Sequence, residues 1–334
     1  MPRFVNFYPI VQRLSASNVY FGYLLSLPQL PEICRFSFKI TAFAQADKPS
    51  RMVKLIECPR DAMQGIHAFI PTRTKAAYIN QLLKVGFDTI DFGSFVSPKA
   101  IPQMRDTAEV LSLLDLSGDH SGLLAIVANR RGAEDAVQFG EIGYLGYPFS
   151  ISETFQLRNT NATIEESLGR VGEIQDICLQ KGKRLVIYIS MGFGNPYGDP
   201  WNVEIVQRWV DKLVGMGIAI FQLSDTIGVA GPENIAYLFS NLIPAYPDIE
   251  FGAHFHTTPT AWKEKIQAAY ENGCRRYDGA IRGFGGCPMA KDDLTGNMPT
   301  ENMVGFFQEA GEPTGLNPDA FARSVAMIPD VFPM

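Results

Sequence analysis

His254 and His256 stand two residues apart in Gly252-Ala253-His254-Phe255-His256-Thr257, a stretch that reads as a buried strand. Side chains alternate along a strand, so both imidazoles leave one face and can converge on one point. Two of the chain's four histidines sit here. In isolation such a pair is more often two satisfied core or surface rings than two ligands. The ends of the neighbouring strands therefore decide its meaning.

Those ends carry further polar groups. Arg60 and Asp61 follow the first apolar run, and Asp91 and Ser94 close the second. Gly192 to Tyr197 forms a loop after the fifth run, and Ser224-Asp225-Thr226 ends the sixth. Gly283-Phe284-Gly285-Gly286-Cys287-Pro288 and then Asn297 follow the eighth. A single aspartate at a strand end is more often a helix cap than a ligand, but this is a ring of them. Asp61, the two imidazoles and the amide oxygen of Asn297 make a mixed nitrogen and oxygen donor set. Cys287 as a thiolate would favour zinc; the oxygen-rich set suits Mg²⁺ or Mn²⁺ better.

Holding these groups in one ring requires repeated strand–helix units. Short β-prone runs over 53–58, 89–93, 123–128, 142–147, 184–190, 218–224, 249–256 and 276–281 predict eight strands. Helical patterns separate them over 72–86, 107–114, 133–139, from Thr163 onward, and over 203–214, 232–242 and 261–270; another follows at 301–309. Thr163 with Glu166 three residues on has the form of a capping box. Eight such units in about 260 residues match a (β/α)8 TIM barrel, with a doubly wound open sheet as the alternative. The catalytic domain is expected over 52–316, with a short C-terminal helical extension over 317–334.

Composition limits the function classes. The chain has 334 residues, 46% apolar, and a net charge of −6 without a basic stripe, which speaks against a nucleic-acid partner. Its five cysteines contain no C-x-x-C pair, so reduced thiols are expected. No apolar run reaches the roughly 18 residues of a membrane-spanning helix. Residues 1–51 differ, with six basic and two acidic side chains. Ala44-Gln45-Ala46 resembles a signal-peptidase site, but Arg35 and Lys39 interrupt the apolar core such a signal needs. An over-extended start, with Met52 as the natural first residue and a cytoplasmic protein, is the expected explanation. A transit peptide to the mitochondrial matrix is the alternative.

Cys58-Pro59-Arg60-Asp61-Ala62-Met63-Gln64 resembles a signature of the 3-hydroxy-3-methylglutaryl-CoA lyase family, within the DRE-type metal-dependent TIM-barrel lyases and synthases. Ser94-Phe95-Val96-Ser97-Pro98-Lys99, Ser224-Asp225-Thr226-Ile227-Gly228-Val229 and Gly283 to Pro288 are similar to its other segments, and the likeness runs over 53–310. The resemblance implies Asp61, His254, His256 and Asn297 as ligands of Mg²⁺ or Mn²⁺. It implies Arg60 beside the developing enolate, Asp91 in place of a glutamate, and Asp225 and Cys287 as proton-transfer groups. It also puts Gln64, Tyr188 and Gln222 at the substrate. The implied reaction cleaves 3-hydroxy-3-methylglutaryl-CoA, an acyl-CoA, to acetyl-CoA and acetoacetate, steps of leucine degradation and ketone-body metabolism. A homodimer is an assembly open to such a protein.

Some positions depart from the family pattern. Thr257 replaces an acid after the second histidine, Gln222 stands where a small serine is usual, and one extra residue separates Cys287 from Asn297. These put the acyl substrate in question more than the chemistry. A condensing enzyme of the isopropylmalate or homocitrate synthase type is the second enzyme reading. It is weakened by the short sequence after Glu309. A barrel retained only for binding is the third, and would predict missing ligands.

Overall fold

Runs of β-branched and aromatic residues, each followed by an amphipathic segment, build eight parallel strands with helices between them. The structure is a computed structural model that describes residues 52–118, 121–286 and 295–332. The expected extension over 1–51 therefore lies outside the described residues, as does Cys287. The strands are β1 (Lys54–Glu57), β2 (Thr89–Ser94), β3 (Gly122–Ile126), β4 (Ile142–Ser150), β5 (Arg184–Ser190), β6 (Ile220–Asp225), β7 (Glu250–Thr257) and β8 (Arg276–Gly279). Each pairs in parallel with the next, and β8 pairs back onto β1, so the sheet is a closed barrel.

Around it lie α1 (Pro59–Gln64), α2 (Thr72–Leu83), α3 (Thr107–Ser112), α4 (Arg130–Ala136), α5 (Glu153–Thr160), α6 (Ile164–Gln180), α7 (Val203–Gly215), α8 (Pro232–Ala245), α9 (Trp262–Glu271) and α10 (Thr300–Glu309). A two-residue strand, β9 (Gly296–Asn297), pairs antiparallel with β7. The capping box at Thr163 forms as its spacing requires. The extension beyond residue 316 is two helices, α11 (Pro318–Ala326) and α12 (Ile328–Val331), rather than one. Phe321 packs edge-on against Phe87 and Phe332 against Tyr78, both on the α2 side of the barrel. Among the described residues no helix is long and apolar enough to cross a membrane.

Period-2 alternation sorts side chains between two cores. Leu123, Ala125, Leu185 and Ile187 face the surrounding helices in the main core. Leu124, Ile126, Val186, Tyr188 and Ile220 pack against one another as a separate small cluster. The same alternation puts Gln222, His254, His256 and Asp278 on the inward face. At the amino-terminal ends of the strands, Lys54, Arg184 and Arg276 surround Glu250. The carboxyl-terminal ends are left for the site, as expected of this architecture.

Candidate active site

Pro59 starts α1 immediately after β1, where its missing N–H costs nothing. This short helix, in a segment the sequence reads as a loop, turns Arg60, Asp61 and Gln64 toward the strand ends. Arg60 Nη1 donates to Asp61 Oδ1 at 2.8 Å and to Gln64 Oε1 at 3.0 Å. Its Nε donates to both oxygens of Asp91, at 3.0 and 3.2 Å, and its Nη2 adds a third bond to the same carboxylate. The guanidinium is thereby fixed in position as well as charged, which a lysine could not reproduce. Asp91 is fully buried behind it.

Parallel pairing sets His254 of β7 opposite Asp278 of β8, and His254 Nδ1 lies 3.0 Å from Asp278 Oδ2. His256 is oriented differently: its Nδ1 lies 2.7 Å from the carbonyl oxygen of Thr226. A carbonyl only accepts, so Nδ1 carries the proton and Nε2 keeps its lone pair. Thr257 takes no part in this; its hydroxyl donates to the Thr258 carbonyl. The backbone of the loop after β6 thus orients the His256 ring. The β9 pairing sets Asn297 opposite His256, and its Nδ2 donates to Asp61 Oδ2 at 2.7 Å and to the Phe284 carbonyl at 2.8 Å. Gly285, at φ +87°, permits this: a Cβ there would lie 2.6 Å from the Asp61 carbonyl oxygen and 2.7 Å from Asn297 Nδ2.

Burial sets the charges of these groups. It would raise the Asp61 pKa, but Arg60, both imidazoles and Asn297 outweigh it and hold the carboxyl at about 2. Burial raises Asp91 to about 6 against the pull of Arg60. Burial favours a neutral His254, yet the hydrogen bond and charge of Asp278 raise its pKa above the ordinary value. His256 is lowered, by burial first and then by His254. One ring thus leans toward the cation and the other toward the free base.

Asp61, His254 and His256 each offer a ligand atom, and these atoms lie within 4.8 Å of one another. His256 Nε2 is buried without a protein partner. A buried lone pair left unpaired is costly, and a divalent cation between these three groups would satisfy it, so the residues fit such an ion. These groups and Arg60, Gln64, Tyr188, Ser224, Phe155 and Asn159 line a cavity of about 360 Å³.

Two expected groups stand elsewhere. Gln222 does not line the cavity; it is wholly buried, and its amide donates to Asp278 Oδ1. It fits because Gly252 has no side chain: a Cβ there would fall 1.8 Å from Gln222 Oε1. Asp225 also faces away from the cavity. Its carboxylate accepts from Lys265 Nζ at 2.7 Å and from the N–H groups of Val229 and Ala230 at 2.8 and 3.0 Å. Two groups at the site were not singled out from sequence: Asp278, and Thr226 as a carbonyl. Glu57 accepts from the Ile281 N–H at 2.9 Å and pairs with the Thr300 hydroxyl at 2.6 Å.

Comparison with known proteins places this geometry. The HMGL-like family model matches residues 53–328. Hydroxymethylglutaryl-CoA lyase YngG of Bacillus subtilis (strain 168) is 33% identical over 251 residues, 75% of this chain and 83% of that protein. The cytoplasmic 3-hydroxy-3-methylglutaryl-CoA lyase of Mus musculus is 33% identical over 269 residues, 79% of this chain and 77% of its own. Relatives named as mitochondrial also match. An HMG-CoA lyase from Acinetobacter baumannii, solved in complex with coenzyme A and 3-methylmalate, superposes with a TM-score of 0.77 at 32% identity, covering 84% of this chain and 91% of that one. With a closed eight-stranded barrel and a family match over nearly all of it, the chain belongs to the HMGL-like family.

Proposed function

We propose that this protein is a divalent-metal-dependent carbon–carbon lyase that cleaves 3-hydroxy-3-methylglutaryl-CoA to acetyl-CoA and acetoacetate. The observation that carries this is the convergence of Asp61, His254 and His256 within 4.8 Å at the edge of a cavity into which Arg60 also faces. In the reaction the tertiary hydroxyl loses its proton and its oxygen becomes the ketone as the C2–C3 bond breaks. The bond's electron pair passes into the thioester as an enolate, and protonation at C2 releases acetyl-CoA. Asp61, His254, His256 and Asn297 would hold Mg²⁺ or Mn²⁺, which supplies Lewis acidity to lower the cost of the alkoxide.

Arg60 contributes a fixed positive charge where the enolate forms, preorganised by Asp91. Gln64 and Tyr188 line the cavity that takes the acyl group. Gly286 also lines it, and Cys287 follows in sequence, so Cys287 is the proposed acid that returns the proton to C2. Asp225, clamped by Lys265, is given a positioning role instead. Coenzyme A in the related lyase complex supports an acyl-CoA partner. The cytoplasm is the proposed setting, and a homodimer the proposed assembly.

The test is release of acetoacetate from the thioester by the purified chain, with and without added Mg²⁺ or Mn²⁺. Activity that appears only with the ion and is lost in His254→Ala supports the reading. A folded, metal-loaded protein that releases none, while turning over another thioester in a panel of 3-hydroxyacyl-CoA compounds, would reassign the substrate.

A further inference from the structure

Cys58 is the first residue after β1, fully buried, and none of the roles above uses it. Its thiol, an imidazole nitrogen of His254 and a carboxylate oxygen of Asp278 lie within 4.8 Å of one another. We propose that these three side chains form a second cation site, selective for thiophilic divalent ions such as zinc or cadmium.

The donor set differs in kind from that of Asp61, His254 and His256. Thiolate with imidazole and a single carboxylate suits zinc and cadmium, whereas magnesium avoids sulfur. Zinc bonds of about 2.0–2.3 Å in a tetrahedron put ligands roughly 3.5 Å apart, so only small inward movements of these side chains are needed. Asp278 is already held by the Gln222 amide and His254 by Asp278, which leaves the set preorganised. The cation would take the place of the proton shared between His254 Nδ1 and Asp278. Burial, and after it the charges of Asp278, Asp91 and Asp61, raise the thiol's pKa well above its ordinary value, so the cation binds with loss of the thiol proton. Tyr188 packs edge-on against His254 with ring centres 5.5 Å apart and helps hold the imidazole in place. His254 belongs to both sets, so a thiophilic ion here competes for a ligand of the first site. The test of binding at Cys58 does not depend on which reaction the protein catalyses.

The experiment titrates Cd²⁺ into the purified full chain at saturating Mg²⁺ and follows the ultraviolet thiolate-to-cadmium charge-transfer absorption. The expected result is a component that saturates at one equivalent, disappears in Cys58→Ser and persists in Cys178→Ser, Cys274→Ser and Cys287→Ser. Absence of that component, or its survival in Cys58→Ser, overturns the proposal. Should Cys58→Ser fail to fold, Asp278→Asn with the thiol intact decides the matter. A cadmium affinity, read from the thiolate charge-transfer band alone, about 10–100-fold weaker supports the site, and an unchanged one overturns it.

Discussion

Lys265 of α9 holds its ammonium 2.7 Å from the carboxylate of Asp225 at the end of β6, and both side chains are sealed from solvent. The same ammonium donates to the carbonyl oxygens of His256 at 2.8 Å and Gly228 at 3.1 Å. One cation thus ties the end of β7 to the loop after β6. That loop also contains Thr226, whose carbonyl orients the His256 ring. Lys265 and Asp225 therefore position an imidazole that neither of them touches.

Removing one member of this pair leaves the other as an uncompensated buried charge. Lys265→Met should lower unfolding free energy by about 3–5 kcal/mol. Adding Asp225→Asn to it should restore part of the loss, because the stranded carboxylate is then gone. Urea unfolding of the two single variants and the double variant measures the coupling. Strictly additive losses would show that the two side chains do not act as a pair.

Asp278 fixes which way His254 points. Asp278→Asn should weaken Mn²⁺ binding by about 10–100-fold, because the group behind a ligand histidine sets its orientation and basicity. Isothermal titration with Mn²⁺ reads this directly. An affinity equal to that of the unaltered protein would remove Asp278 from the account.

Arg60→Lys keeps the charge but loses the fork that Asp91 and Asp61 grip. Turnover of the thioester should fall by about 10²–10³-fold with a much smaller change in KM, as when a preorganised donor to a developing oxyanion is lost. A rise in KM with kcat preserved would mean that Arg60 only binds substrate.

Glu57 makes stability depend on pH. Burial raises its carboxyl from 4.5 to about 8, despite the hydrogen bonds from Thr300 and Ile281. Its folded pKa lies above the unfolded value, so its contribution is complete below about 4.5 and is lost as pH rises through about 8. Over that window the slope is at most about 1.4 kcal/mol per pH unit. Glu57→Gln keeps an acceptor for Ile281 and cannot ionise, so its advantage over the unaltered protein should grow from pH 5 to pH 8. Denaturant midpoints that run parallel across that range would refute this.

How far the site could be read from sequence depended on whether a residue's role follows from periodicity. His254 and His256 declared themselves because a strand forces i and i+2 onto one face. Asp61 did so because it follows the first apolar run, and Asp91 because the family resemblance singles it out. Asp278 did not, since a lone acid inside a short strand carries no spacing signal; its role exists only through its neighbour on β7. Gln222 and Asp225 were visible, but their directions were not. An amide filling the space beside Gly252 and a lysine forty residues downstream turn them away from the cavity. The helix α5, which supplies Phe155 and Asn159 to the cavity wall, went unread because only Phe155 and Gln156 of its eight residues are buried. The two-residue strand β9 is too short for any pattern, yet it aligns Asn297 with His256.

Closure of the barrel has a consequence for how the molecule comes apart. Its two shortest strands, β1 and β8, are four residues each and lie side by side, and β8 meets β7 along only two aligned residue pairs, a thinly laddered seam. Asp61 stands just past one edge of that seam and the two histidines stand on β7, just past the other. An ion shared between them would act as a rivet across that thinly paired join. Chelation should then speed amide hydrogen exchange first in Arg276–Gly279, long before the broad β4–β5 wall opens.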